Sequence, residues 1–188
     1  MSRNQTKNIA YNGLLLAIIL VLTIVPNIGF IQIPPLSLTI IHIPVIIGSI
    51  LFGFKSAIFL SLAFGVSSMF VAATRGAGLD VLFINPLVSV LPRLLFGLAI
   101  YLIYTSIKRT VKSKSLQVGI TAFVSSLIHS FLVLFAMYLA TSLNEASFTS
   151  NAFTAIISSY LFLGAIGEAI LATIISIPVV TAVRRVID

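Results

Sequence analysis

Long apolar runs separated by short polar or proline-rich joints organise this chain from end to end. The runs cover about residues 8–25, 39–53, 56–73, 83–107, 117–141 and 152–183. A helix crossing a bilayer needs about 20 apolar residues, fewer where it is short or partly re-entrant, so the pattern predicts six transmembrane helices. The expected fold is an all-α integral membrane protein, with residues 1–188 forming one six-helix domain. No fixed-period repeat and no low-complexity tract interrupts that reading.

The joints divide into two kinds. The stretches 26–35, 73–80 and 141–151 are Pro-rich, Gly-paired and acidic respectively, and the last has no Lys or Arg. The first, with Pro26, Pro34 and Pro35, disfavours helix yet is too apolar for a simple solvated loop. Basic residues gather elsewhere: Arg3 and Lys7 at the start, Lys55 after Phe52-Gly53-Phe54, the group Lys108, Arg109, Lys112 and Lys114, then Arg184 and Arg185. With these on one side of the membrane, the positive-inside rule makes both termini cytoplasmic. Arg3 and Lys7 ahead of an apolar run also fit a secretory signal. The run is long for one, though, and no small-x-small cleavage site follows at Val25-Pro26-Asn27, so a retained helix is expected.

Composition agrees: 59% of the 188 residues are hydrophobic and 8% are charged, with a mean hydropathy of +1.20. That balance excludes a soluble domain and a disordered chain. The formal charge of +7 is confined largely to helix flanks, which argues for a lipid bilayer and against nucleic acid as the partner. Without cysteine there is no disulfide and no thiolate site. No P-loop sequence is present, so the chain does not bind ATP through one, and two histidines on different helices fall short of a metal site. No cofactor is expected.

Three ionisable residues lie deep in apolar runs: Arg93, His129 and Glu168. A charge at a bilayer centre costs about 2.5–3.5 kcal/mol on insertion scales, and such residues mark ligand or ion paths by default. Arg93 follows Asn85-Pro86-Leu87-Val88-Ser89-Val90-Leu91-Pro92, where each proline removes a helical hydrogen bond. Such breaks persist in membranes where the freed carbonyls line a cavity or meet a polar partner. Arg93 lies about 12 Å along the helix from Asn85. Its guanidinium either pairs with Glu168 or clamps a carboxylate, phosphate or polar ring of a ligand. His129, among Ser125, Ser126 and Ser130, is either a packing residue or a ligand contact, and it ranks above His42. Glu168 follows Gly164 by one helical turn, which leaves space beside the carboxylate. Asn85 and Arg75 are further polar candidates, and Tyr138, Tyr160, Phe131 and Phe135 are candidate aromatic faces for a flat ligand.

Ala10, Gly13 and Ala17 put small side chains along one face of the first helix, where another helix can approach closely. Two other readings stay open. A proton-coupled secondary transporter would use Glu168 and His129 as a relay and would work alone in liposomes. An intramembrane hydrolase would pair Ser67 or Ser68 with His129, although Gly65-Val66-Ser67-Ser68-Met69 only half matches a nucleophile elbow.

The stretches Leu38-Thr39-Ile40-Ile41-His42-Ile43-Pro44-Val45-Ile46-Ile47-Gly48 and Asn85 to Gly97 resemble the substrate-binding S components of energy-coupling factor vitamin transporters. The resemblance covers essentially the whole chain and is strongest to the pantothenate and pyridoxine/hydroxymethylpyrimidine branches. The family's alanine-x-x-x-alanine contact motif falls on Gly13 and Ala17, with glycine at its first position. The resemblance implies a vitamin-capturing subunit of an ABC importer and not an enzyme. A membrane coupling subunit and two cytoplasmic ATPase subunits would supply the energy, and the S component would topple in the bilayer. It also implies a ligand site between the outer loops and the outer halves of the last three helices, with Arg93, His129 and Asn85 in contact and Arg75 or Glu168 nearby. Arginine against a carboxylate suits pantothenate; His129, Asn85, Tyr138 and Tyr160 would suit the ring of pyridoxine or hydroxymethylpyrimidine.

Overall fold

The structure, a computed structural model, describes residues 3–26, 28–33, 36–75, 78–143 and 164–187. In chain order these form α1 (Arg3–Ile24), a hairpin of β1 (Phe30–Ile33) and β2 (Leu36–Thr39), α2 (Ile43–Phe52) and α3 (Phe54–Arg75). A 3-10 helix (Gly78–Ile84) then leads to α4 (Pro86–Thr110), α5 (Lys114–Leu143) and α6 (Ala165–Ile187). Among the described residues, five of the six α-helices, all but α2, are long and apolar enough to cross a membrane.

The expected span 39–53 is not one helix. Thr39 ends β2, and α2 runs for ten residues from Ile43, about 15 Å at the helical rise. That is about half of a hydrocarbon core roughly 30 Å thick. Pro44 sits in the first turn of α2, where its missing N–H costs nothing. Gly53 closes the helix at φ 78°, a conformation open to glycine, and its N–H bonds to Ser49 O. The tight joint expected at Phe52-Gly53-Phe54 is therefore present. The apolar joint before α2 becomes an antiparallel hairpin in the register Phe30↔Thr39, Ile31↔Leu38, Gln32↔Ser37 and Ile33↔Leu36. Pairing satisfies the inward-facing half of its backbone groups, which a bare loop does not do, and the outward Thr39 N–H finds a side-chain acceptor instead. The last expected span, 152–183, is seen from Ala165 and continues to Ile187. Its beginning lies outside the described residues.

Helix α2 fills the centre of the bundle. Eight of its ten residues are buried, and it touches α1, α3, α4, α5 and α6. At about half the bilayer thickness, this apolar helix is enclosed by protein on all sides. Around it, Ile19, Leu60, Phe64, Phe96, Ile100, Val118, Ala172 and Val180 complete the main core. Buried hydroxyls along the helices bond back to carbonyls one turn earlier, as Ser49 does to Val45 and Thr121 to Gln117.

The most extensive helix contact joins α3 to α4. Gly65 lies against Ser89 and Val90 of α4, and Gly97 lies against Ala57 and Ser61 of α3. Ser89 Oγ donates to Gly65 O at 3.0 Å across the crossing. Small residues permit this approach, which is a main source of helix affinity in lipid. By contrast, among the described residues α1 packs mainly on α2 and α3, and 11% of its most apolar stretch is buried.

The two ends of the bundle differ in charge. Tyr11 stacks on Phe52, Phe54 meets Tyr101, and Arg184 bonds the Tyr104 hydroxyl, so the start of α1, the α2–α3 joint and the last turns of α4 and α6 share one end. Nine of the eleven Lys and Arg residues, all but Arg75 and Arg93, belong to that basic end. The hairpin, the end of α3 and the 3-10 helix form the opposite end.

Candidate functional site

The buried polar residues converge between the middle of the bundle and the hairpin end. His42 caps the start of α2 and is fully buried. Its ring stacks on that of His129 of α5, with centroids 5.2 Å apart and planes 13° from parallel. His42 Nε2 lies 3.0 Å from Ser126 Oγ, a hydrogen bond whose direction depends on the tautomer. Phe96 of α4 and Phe64 of α3 close around His129 at 4.7 and 5.7 Å between centroids. His129 is 4% exposed, and neither of its ring nitrogens has a hydrogen-bond partner among the described residues. A buried polar group without a hydrogen bond is unfavourable by about 1–3 kcal/mol, which makes this ring the candidate ligand contact of the cluster.

Arg93 enters from α4. Pro92 has no N–H for the carbonyl of Val88 one turn earlier, and Arg93 Nη1 donates to that carbonyl at 2.8 Å. The proline break thus meets a polar partner, one of the two outcomes expected for it. The guanidinium carbon lies 5.0 Å from the Phe83 ring centroid and 5.4 Å from that of Phe64, both within cation–π range. Phe64 is therefore a shared wall between Arg93 and His129.

Glu168, in the first turn of α6, ties three elements together. Its Oε1 accepts from the Thr39 backbone N–H at 2.7 Å, and its Oε2 accepts from Ser130 Oγ at 3.0 Å. Thr39 is the last residue of β2, so this carboxylate fastens the hairpin to α6 and α5.

The other candidates are placed differently. Asn85 caps α4 by accepting from Leu87 N–H at 2.9 Å and is exposed. Arg75 is exposed at the end of α3. Tyr138, Phe131 and Phe135 lie on the outer surface of α5, the last two stacked on each other at 5.9 Å. The aromatic faces lining the buried cluster are Phe64, Phe83 and Phe96 instead. Tyr160 lies outside the described residues. Ala10, Gly13 and Ala17 are all exposed on α1, and a Cβ at Gly13 would meet nothing within 4 Å. Ser67 Oγ donates to Phe64 O at 3.0 Å and lies 3.5 Å from Thr23 Oγ1 of α1. Among the described residues no serine hydroxyl is bonded to His129, so the nucleophile–base pair of a hydrolase is not formed.

His42, ranked below His129 from the sequence, is buried beside it, a placement set by the central position of α2.

The chain matches a family model described as ECF transporter, substrate-specific component, over residues 7–180. Among curated proteins it is similar to a pantothenic acid transporter of Lactococcus lactis subsp. cremoris, 24% identical over 200 residues that cover 98% of this chain and 97% of that protein. It is also similar to a pantothenate transporter of Leuconostoc mesenteroides subsp. mesenteroides, 27% identical over 156 residues that cover 79% and 76%.

Proposed function

Because the chain belongs to the family of substrate-specific components of ECF transporters, a multi-pass protein of the cell membrane, we propose that it captures pantothenate at the hairpin end of its bundle. The observation that carries this reading is the buried Arg93 guanidinium, seated one helix away from an imidazole, His129, whose two nitrogens have no protein partner among the described residues. Guanidinium and carboxylate form strong, charge-assisted and often bidentate hydrogen bonds. The hydroxyls and amide of pantothenate are both donors and acceptors, as a neutral imidazole requires. Phe64 and Phe96 give its methyl-bearing segment an apolar wall. The two similar transporters named for this vitamin support pantothenate over pyridoxine or hydroxymethylpyrimidine. Asn85 and Arg75, both exposed, would belong to the rim of the proposed site, and Glu168 holds the hairpin over it.

In this reading the basic end is cytoplasmic, in keeping with the positive-inside rule, and both termini lie there. The half-length α2 together with the hairpin occupies the second of six transmembrane positions. The open face of Ala10, Gly13 and Ala17 receives the membrane coupling subunit, and two cytoplasmic ATPase subunits supply the energy that a chain without a P-loop does not. Toppling delivers the vitamin inward; an almost wholly apolar flank on α1 suits it.

Titration of the purified protein with pantothenate, pyridoxine and hydroxymethylpyrimidine, followed by native mass spectrometry, tests the assignment. One-to-one binding of pantothenate is expected. Arg93→Ala should weaken it at least about 10- to 100-fold, the worth of one or two charge-assisted bonds. Tight binding of either ring compound with pantothenate ignored would reject the proposal, as would an Arg93→Ala protein of undiminished affinity.

A further inference from the structure

Arg93 is a long side chain with many rotamers, yet here its guanidinium is drawn back towards the hairpin end of its own helix. The cause is local. In an unbroken helix the N–H of residue 92 would bond to Val88 O, and an arginine at 93 would have no reason to reach that carbonyl. Pro92 supplies no N–H, and its ring pushes the carbonyl of residue 88 away from the helix axis. Val88 is 2% exposed, so water does not compensate the carbonyl, and a buried acceptor left without a donor is unfavourable. Arg93 Nη1 fills that role at 2.8 Å. With this bond in place the guanidinium lies over Phe83 and Phe64, beside the walls of the His129 pocket.

We propose that Pro92 is a positioning residue for ligand capture: by freeing the Val88 carbonyl it anchors Arg93 in the pose that receives the anionic group. This rests on the reading of Arg93 as the anion clamp. An interior proline disfavours a helix relative to alanine, and what it provides here is a guanidinium ordered before the ligand arrives. Restoring the helical hydrogen bond should loosen the arginine without removing it.

The test is Pro92→Ala, read two ways in the full-length protein in nanodiscs. The first needs no ligand: rotation of the Arg93 guanidinium about its Nε–Cζ bond, followed by 15N NMR of the arginine side chains. It should be slow in the wild type and distinctly faster in the variant. The second is pantothenate affinity, expected to fall roughly two- to tenfold, the scale of immobilising one flexible side chain, while thermal unfolding stays the same or moves upward. A merely structural proline would lower stability on replacement and leave the guanidinium unchanged. Unaltered rotation in Pro92→Ala overturns the proposal, and so does unaltered affinity where Arg93→Ala abolishes binding. If the wild type binds no pantothenate, the functional reading fails by itself and the NMR arm still decides whether Pro92 orders Arg93.

Discussion

Replacing Glu168 should loosen the hairpin's hold on the bundle, and a lower bound on the effect follows from its hydrogen bonds to Thr39 and Ser130. The carboxylate receives the Thr39 N–H at 2.7 Å and the Ser130 hydroxyl at 3.0 Å. Bonds to a charged group contribute about 1.5–3 kcal/mol each, against about 1 for neutral pairs. Glutamine has nearly the same shape. Its oxygen can keep Thr39 and its amide can donate to Ser130 Oγ, so Glu168→Gln turns two charge-assisted bonds into two neutral ones. The expected loss is about 1–3 kcal/mol of hairpin attachment. At about 1.4 kcal/mol per decade, opening of the hairpin becomes roughly 5- to 150-fold more frequent. Glu168→Ala removes both acceptors and leaves the Thr39 amide unsatisfied, so its effect should be larger. The assay is amide hydrogen exchange in nanodiscs without ligand, read at Thr39 and at Ile40, whose N–H bonds to Gly29 O at 3.0 Å across the base of the hairpin. Both amides should exchange faster, in the order alanine, glutamine, wild type, while amides in the middle of α4 hold their rates. Wild-type exchange at Thr39 and Ile40 in both variants would refute the reasoning, because the hairpin would then owe its attachment to something other than this carboxylate.

Gly97→Ala should destabilise the bundle by about 1–3 kcal/mol in thermal unfolding, since the new Cβ would lie 2.8 Å from the Ala57 carbonyl and closer still to Ser61 Oγ; an unchanged melting temperature would show that the α3–α4 crossing yields easily. Gly13→Leu should alter stability by less than about 0.5 kcal/mol and leave vitamin binding intact, because nothing stands within 4 Å of a Cβ there. It should block co-purification with the membrane coupling subunit, and a complex recovered in full would remove that face of α1 from the docking surface.

Much of the bundle was legible in the sequence because membrane insertion imposes a pattern of single residues. The basic joint from Lys108 to Lys114 and the turn at Gly53 stand where apolar runs stop, whereas the run expected to be helical from 83 starts as a 3-10 helix and α4 begins only at Pro86, which is in its first turn and not inside it. The hairpin was not legible. Phe30 to Ile33 and Leu36 to Thr39 are short runs without a marked period, and apolarity alone does not separate a strand from a buried loop. Within the site, Arg93 and His129 announced themselves as polar residues in apolar runs. The stacking of His42 on His129 did not, because it joins positions 87 residues apart through the placement of α2 among its neighbours. Phe131 and Phe135 misled for a related reason: every face of a membrane helix is apolar, so an aromatic residue carries no mark of inside or outside.

The central position of α2 bears on permeability. Below the histidine pair the core is occupied by Ile43, Ile46, Ile47, Ile50, Leu60, Ile100, Val118 and Val180, each at most 5% exposed. An ion crossing such a layer would meet an idealised Born barrier of about 20 kcal/mol. The hairpin lies in series with this layer and not in its place. In the proposed reading, a hairpin that moved aside would admit a solute only to the upper half of the molecule, and the apolar layer below would keep the membrane potential from discharging through the site.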